Sequence, residues 1–355
     1  AHGPVQAEAY RNPFPKWLYP GEYPGDLKKH PDCLPEVHYD LSYLWPGAWP
    51  RVAKRILQAR PDAVLIPWWT FFFAPHYLWL ARKLARAEIP VVFLCHNFFD
   101  HEAAGWKKWL SLKALRHASG FVFHSREEQG LAEKYLPGVP SLLSPHPLYD
   151  HLPQVAQKDV VSNRLELLFF GLVRPYKGLE DLIDAMEAFD DDSLRLTIAG
   201  EWWSNQKSLK ERCRQLEAKG RVRLIDRYIS DTEAANAFQD CDGVVLPYRK
   251  ATNSGVLAHA LQAKKPVIVT RTGALPEMVS EGKSGLIVSP RSPRALQRAI
   301  DRLGEMTRDG HDFKSAIEHQ CQELSWDLFA ERLTSFLSDY CQSHNRNLKH
   351  PTPEE

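Results

Sequence analysis

Cysteine is sparse and unpatterned in this sequence. Its six residues, Cys33, Cys95, Cys213, Cys241, Cys321 and Cys341, are scattered, with no CxxC pair. That argues against a disulfide framework or a cysteine-based zinc site, and fits buried thiols in a reducing compartment. Long apolar runs are missing too: none reaches the roughly 20 residues of a membrane span. No signal-peptide pattern opens the chain. An excess of one charge is also absent. Lys and Arg total 45 against 44 Asp and Glu, a net charge of +1, too little for bulk nucleic-acid binding. The chain begins at Ala1 rather than Met, which leaves room for a natural start upstream. What remains is a globular composition, 44% hydrophobic and 25% charged, over 355 residues, enough for two domains.

Residues 1 to about 55 are rich in Pro, Trp and Tyr and poor in periodicity, and PFPKWLYPGEYPGD (13–26) reads as a loop. Residues 51–60 read as a short basic helix. Strand and helix then alternate: strands at 63–67, 90–95, 120–124 and 141–143, helices at 77–87, 102–117 and 126–135. Residues 151–164 read as a linker. The rhythm resumes with strands at 165–170, 194–199, 221–225, 243–246, 266–270 and 285–288, with helices between them such as 206–218 and 232–238. A last apolar-periodic segment covers 325–340, and a polar tail follows His344 that reads as frayed. Such alternation implies parallel sheets covered by helices on both faces. The expected class is α/β, with two Rossmann-like doubly wound domains facing a cleft. The expected boundaries are 1–155 for the first domain, 156–324 for the second, and 325–355 for a helix packing back towards the first domain, with the tail.

One stretch organises the second half: LELLFFGLVRPYKGLE, residues 165–180. An apolar strand runs into Gly171, a loop carries Arg174 and Lys177, and a helix starts after Gly178. Free N–H groups and the dipole at a helix start favour an anion. Two cations in the loop point to a diphosphate. An ordinary βα turn with solvated charges fits the local pattern equally well. Four further polar turns follow strands: GEWW (200–203), DRYISDTE (226–233), PYRKATNSGV (247–256) and RTGALPE (271–277). In a parallel sheet all five would converge on one edge. Taken singly, each is more simply a tight turn or a helix cap, with Ser230 or Asp231 as the cap before Glu233.

The order and spacing of GLVRPYKGLEDLIDA, IAGE, DRYISDTE, DGVVLPYRKATNSGVLAHALQAKKPVIVTRTGALPEMV and GKSGLIV resemble the donor-binding domain of GT-B retaining glycosyltransferases of family 4. HNFFDHE (96–102), HASGFVFHSREE (117–128) and SPHPLYD (144–150) are similar to the acceptor-side half of that family. The resemblance implies that Arg174 and Lys177 hold the donor diphosphate, with no metal and no cofactor. It implies that Thr252, Asn253, Ser254, Gly255 and Val256 face donor phosphate and sugar, that Gly200 and Glu201 line the same edge, and that Ile229 meets the base. His96 matches a family histidine near the donor sugar, with a histidine merely satisfied at a strand end as the alternative. His101 and Glu102 become acceptor-side candidates, a helix start being the equal alternative.

Two departures stand out. The family's paired glutamates, the second of which contacts the ribose, correspond here to Ala251 and His259; neither is acidic, which argues against the usual ribose contact and the usual sugar-side carboxylate. The family's first strand and glycine-rich loop are not visible before PFPKWLYPG, so the first domain is expected to lack that strand. Trp106, Lys107, Lys108, Trp109, Lys113, Arg116 and His117 share one predicted helix. It could rest on anionic lipid as a peripheral membrane contact at the inner face, or simply be a solvated helix with its tryptophans in the core. The expected function is a cytoplasmic retaining glycosyltransferase moving a sugar from a nucleoside diphosphate to a glycan or lipid-linked glycan hydroxyl. The rivals are a non-catalytic sugar-nucleotide-binding scaffold and a GT-B sugar-nucleotide epimerase.

Overall fold

The computed structural model describes residues 7–10, 37–42, 47–100, 104–148, 153, 164–189, 193–203 and 206–349. The chain divides into two compact units. One takes residues 1–123, 129–142 and 334–355, and the other takes 124–128 and 143–333.

The first unit holds a four-stranded sheet in the order β3-β4-β5-β6, formed by Val64–Trp68, Val91–Cys95, Gly120–Phe123 and Ser141–Leu143. Its β3–β4 and β4–β5 pairs are parallel. The core is aromatic: Trp68, Phe93, Phe98, Phe121 and Phe123 are all fully buried. Trp68 meets Phe93 edge-on at 5.9 Å, an arrangement ring quadrupoles favour. Helices α1 (Ala48–Ala59), α2 (Ala74–Arg86), α3 (Gly105–Leu115) and the greater part of α4 (Arg126–Tyr135) belong to this unit. So does the end of the last helix, where the Phe336 ring lies over Gly120 of β5.

The front of the chain differs from the expectation. Ala7–Tyr10 forms a strand, β1, and pairs in parallel with β2, Val37–Leu41; the expected loop at 13–26 lies outside the described residues. These two make a separate two-stranded sheet. A strand of four residues carries too little pattern to be read locally, and its partner lies some thirty residues away in sequence.

The second unit is a six-stranded parallel sheet in the order β12-β11-β10-β7-β8-β9. The strands are β7 (Leu165–Phe170), β8 (Leu194–Ala199), β9 (Val222–Ile225), β10 (Gly243–Leu246), β11 (Val267–Thr270) and β12 (Gly285–Val288). Every residue of β10 and β11 is buried, as central strands covered on both faces must be. Helices α5 (Leu179–Glu187), α6 (Lys207–Ala218), α7 (Asp231–Asp240), α8 (Gly255–Gln262), α9 (Pro293–Arg308) and α10 (Phe313–Glu323) pack on the sheet or its edge. Helix α9 buries Leu296, Ala299, Ile300 and Leu303, one stripe at helical spacing. Helix α11 runs from Trp326 to Lys349, so the helix continues beyond His344, where a frayed tail was expected. Its first turns belong to the second unit and its later ones to the first. No helix among the described residues is long and apolar enough to cross a membrane.

Cys95, Cys213 and Cys241 are buried, and burial pushes the thiols of Cys213 and Cys241 up to about 12, which leaves them protonated and inert.

Strand order reverses between β7 and β10, and this is where the two loops that matter meet. Gly178 closes the β7 loop at φ +70°, in the left-handed region, and a Cβ there would strike the Pro247 carbonyl oxygen after β10. Gly178→Ala is therefore expected to lose about 2–4 kcal/mol of stability, from left-handed strain and the forced separation of the loops. Urea unfolding monitored by circular dichroism measures it. A loss under about 0.5 kcal/mol would mean that the loops are not held this closely.

Candidate functional site

Lys177 is the centre of the site. It ends a 3-10 turn, Pro175–Lys177, between β7 and α5. Its side chain folds back beneath the loop, so that Nζ lies 3.1 Å from the point a Cβ on Gly171 would take. Only a glycine leaves that space. The residue is 8% exposed, and Nζ lies 5.5 Å from the centre of the Tyr248 ring. Among the described residues no carboxylate comes within ion-pair reach of it. Burial, and then the neighbouring Arg174, push its pKa down to about 8. An ammonium in such a place is held at a cost until an anion arrives.

Arg174 stands beside it. The guanidinium lies 5.8 Å from the Tyr176 ring and 5.4 Å from the Trp203 ring. Two aromatic faces therefore hold the cation without neutralising it. The GEWW loop reaches this point through backbone pairing. Val173 N–H donates to the Glu201 carbonyl at 2.8 Å and Trp203 N–H to the Val173 carbonyl at 3.3 Å. Gly200 N–H donates to the Ile225 carbonyl at 3.0 Å.

The loop after β10 forms the opposite wall. Tyr248 is buried, which pushes its phenol up, and its carbonyl accepts from the hydroxyls of Thr270 (2.5 Å) and Thr272 (3.2 Å). Ser254 caps α8, its Oγ accepting from Leu257 N–H at 3.3 Å, and Asn253 Oδ1 accepts from Ser254 N–H at 2.9 Å. The Thr252 carbonyl accepts from Ala274 N–H at 3.1 Å. Val256, in the first turn of α8, approaches the Gly171 backbone. Capping was the simple alternative for Ser254. The cap is present, and the first turn of α8 lies near Gly171, the residue that Lys177 Nζ also approaches.

The other expected residues fall into three places. Ile229 packs partly buried at the end of β9. The turn around it is set by Ser230 and Glu233, which form a capping box, and Arg227, with Ser230, holds the Glu233 carboxylate down at about 2. His259 lies one turn along α8 with its ring against Phe238 of α7, 5.9 Å between centres, so it faces the α7 side of the site. His96 lies in the first unit, after β4. Its backbone N–H donates to the Trp68 carbonyl at 2.9 Å and its ring packs on Trp69 at 4.5 Å. His101 and Glu102 lie outside the described residues.

Sequence reasoning passed over one residue that builds the site. Arg249 binds Asp181 through both carboxylate oxygens, at 2.6 and 2.8 Å, and Glu180 at 2.9 Å. Its own N–H donates to the Tyr176 carbonyl at 2.7 Å. One arginine thus ties the loop after β10 to the start of α5 and to the turn that carries Lys177. Both carboxylates sit in the first turn of α5, where the helix dipole favours them. Asp181 at that first turn and Arg in the PYRK turn were the available signal, but only their meeting in space gives it meaning.

Breaking this clamp strands the buried Asp181. Arg249→Ala is expected to cost about 2–3 kcal/mol, and Asp181→Asn in the same chain to return part of it by removing the orphaned charge. Denaturation of the single and double variants checks this. A double variant as unstable as the sum of its parts would show that the two residues act independently.

Comparison with known proteins identifies the family. The profile of the family described as "Glycosyl transferases group 1" matches residues 153–320, and that of "Glycosyltransferase Family 4" matches residues 17–143. A GDP-mannose:glycolipid 4-beta-D-mannosyltransferase of Xanthomonas campestris pv. campestris is 32% identical over 190 residues, 53% of this chain and 52% of the relative. A D-inositol 3-phosphate glycosyltransferase of Corynebacterium glutamicum is 30% identical over 188 residues, 50% of this chain and 44% of the relative. The chain spans about half the length of the curated relatives it matches. In fold, a crystal structure of Anabaena HepE in complex with UDP aligns with a TM-score of 0.70 at 17% identity, covering 86% of each chain. With the two profiles together covering most of the sequence, the chain belongs to the family 4 (group 1) glycosyltransferases of the GT-B fold.

Proposed function

We propose that this chain is a retaining glycosyltransferase that moves a hexose-type sugar from a nucleoside diphosphate to a hydroxyl of a glycan or lipid-linked glycan. The observation that carries the reading is the buried ammonium of Lys177, beside Arg174 and without a carboxylate partner among the described residues. Such a pair is costly alone and suited to two adjacent phosphates. The N–H groups at the start of α8 add fixed partial positive charge on the opposite wall. Relatives named for GDP-mannose and for inositol phosphate support a sugar-nucleotide donor and a polar or lipid-linked acceptor.

In this mechanism the bond from the sugar's anomeric carbon to the leaving diphosphate oxygen breaks. A bond from that carbon to the acceptor oxygen forms on the same face. The acceptor's proton passes to the leaving phosphate oxygen, so charge and atoms balance without a protein nucleophile. Negative charge gathers on the diphosphate as the bond breaks, and Lys177 and Arg174 stabilise that charge more in the transition state than in the ground state. His259, at the ribose-contacting position, donates to or accepts from the ribose in place of a carboxylate.

Donor turnover measured across a panel of nucleotide sugars tests the reading. With the donor that turns over, Lys177→Ala should lower kcat/KM by about ten- to a few hundred-fold. Arg174→Lys should also be impaired, because an ammonium cannot reproduce a planar fork held between two rings. Folding should survive in both, since neither side chain builds the apolar core. A folded Lys177→Ala protein transferring sugar at the wild-type rate would remove the diphosphate from this loop. Tight donor binding with neither transfer nor hydrolysis would favour a sugar-binding scaffold instead.

A further inference from the structure

Helix α3 is turned the wrong way for a soluble protein. It buries Ser111 and Ala114 together with Leu115, while Trp106 and Trp109 each stand 60% exposed. Trp106, Trp109 and Lys113 are spaced to share one face of the helix. Ordinary burial would place the indoles inside and the serine outside. The tryptophans are not isolated. Phe71, on the turn before α2, meets Trp106 edge-on at 5.3 Å, and its neighbour Phe72 is 46% exposed.

The charges on this face pair with rings. Lys107 Nζ lies 4.8 Å from the Phe71 ring and 5.8 Å from that of Trp106, and Lys113 Nζ lies 5.2 Å from the ring of Trp109. The face continues to α4: Lys108 lies over Phe99 at 5.6 Å, and Phe99 packs on Tyr135 at 5.1 Å. Helices α2 and α3 contain no Asp or Glu. The nearby carboxylate of Asp100 is turned away to the hydroxyl of Thr70 and the N–H of Phe71.

We propose that this face docks on an anionic lipid bilayer. Indole rings favour the boundary between headgroups and acyl chains, where one edge is apolar and the other wet. Lysine heads held at the same level as those rings meet lipid phosphates while their stems stay against apolar surface. The charged side chains that α2 and α3 bring to this face are all basic. The inference rests on the first unit alone and stands whether or not the Lys177 site transfers sugar.

Flotation of the full chain with vesicles tests it. The protein should float with vesicles of phosphatidylcholine mixed with phosphatidylglycerol, and weakly with phosphatidylcholine alone, losing most of its binding at high salt. W106A/W109A should reduce partitioning by about tenfold or more, and K107E/K113E, which keeps both indoles, by a similar factor. Both variants should melt as the wild type does, because these side chains lie outside the core. Three results would overturn the proposal: no flotation of the wild type, flotation unchanged in both variants, or equal salt-insensitive binding to both vesicle types. Concentration-dependent self-association without lipid, lost in W106A/W109A, would assign the face to a second copy of this chain and contradict lipid docking.

Discussion

A single desolvated ammonium sets the terms for the second unit. Lys177 is buried, lies near a second cation, and has aromatic and backbone neighbours where a carboxylate would be expected. Alone it weighs against the fold. Its pKa is depressed to about 8, so the unliganded protein carries the penalty below that pH and is relieved of it as pH rises from about 8 towards lysine's ordinary range. An anion in the site reverses the sign. A diphosphate bound there, as proposed, would favour the ammonium, raise its pKa, and turn a local cost into binding energy.

Everything around Lys177 serves to keep it there. Gly171 leaves room for its head group, and Gly178 lets the loop turn against the Pro247 carbonyl. Arg249 locks the turn to the start of α5, while Tyr176 and Trp203 hold Arg174 at ring-contact distance. Ser254 caps the start of α8, whose Val256 approaches Gly171. These contacts come from the ends of β7, β8 and β10, which the strand order makes neighbours. A parallel sheet that reverses at β7 and β10 therefore builds the site, and the side chains only finish it.

The sheet of the second unit was legible because central parallel strands are continuous apolar runs. The segments 165–170, 194–199, 243–246 and 285–288 begin and end where sequence patterning places them. The loop cations were legible because a strand, a glycine and a helix start are contiguous in sequence. The Arg249 clamp was not, because its meaning depends on two loops nearly seventy residues apart meeting in space. The strands Ala7–Tyr10 and Val37–Leu41 were too short to rise above their proline-rich surroundings. Helix α3 shows the limit of periodicity most plainly. Its composition permitted a tryptophan core or a tryptophan surface, and only packing, which draws Ser111 and Ala114 inward, decides between them.

A diphosphate bound as proposed would hold Lys177 fully as the ammonium. Calorimetric titration of a nucleotide sugar at pH 8, in two buffers of different ionisation enthalpy, counts the protons exchanged on binding. The donor's own phosphates do not titrate near this pH. The account predicts an uptake of about half a proton per site, since a group with a pKa near the working pH is half protonated before binding. That uptake should vanish in Lys177→Met. Binding with no proton uptake, or with an uptake that persists in the variant, would contradict it.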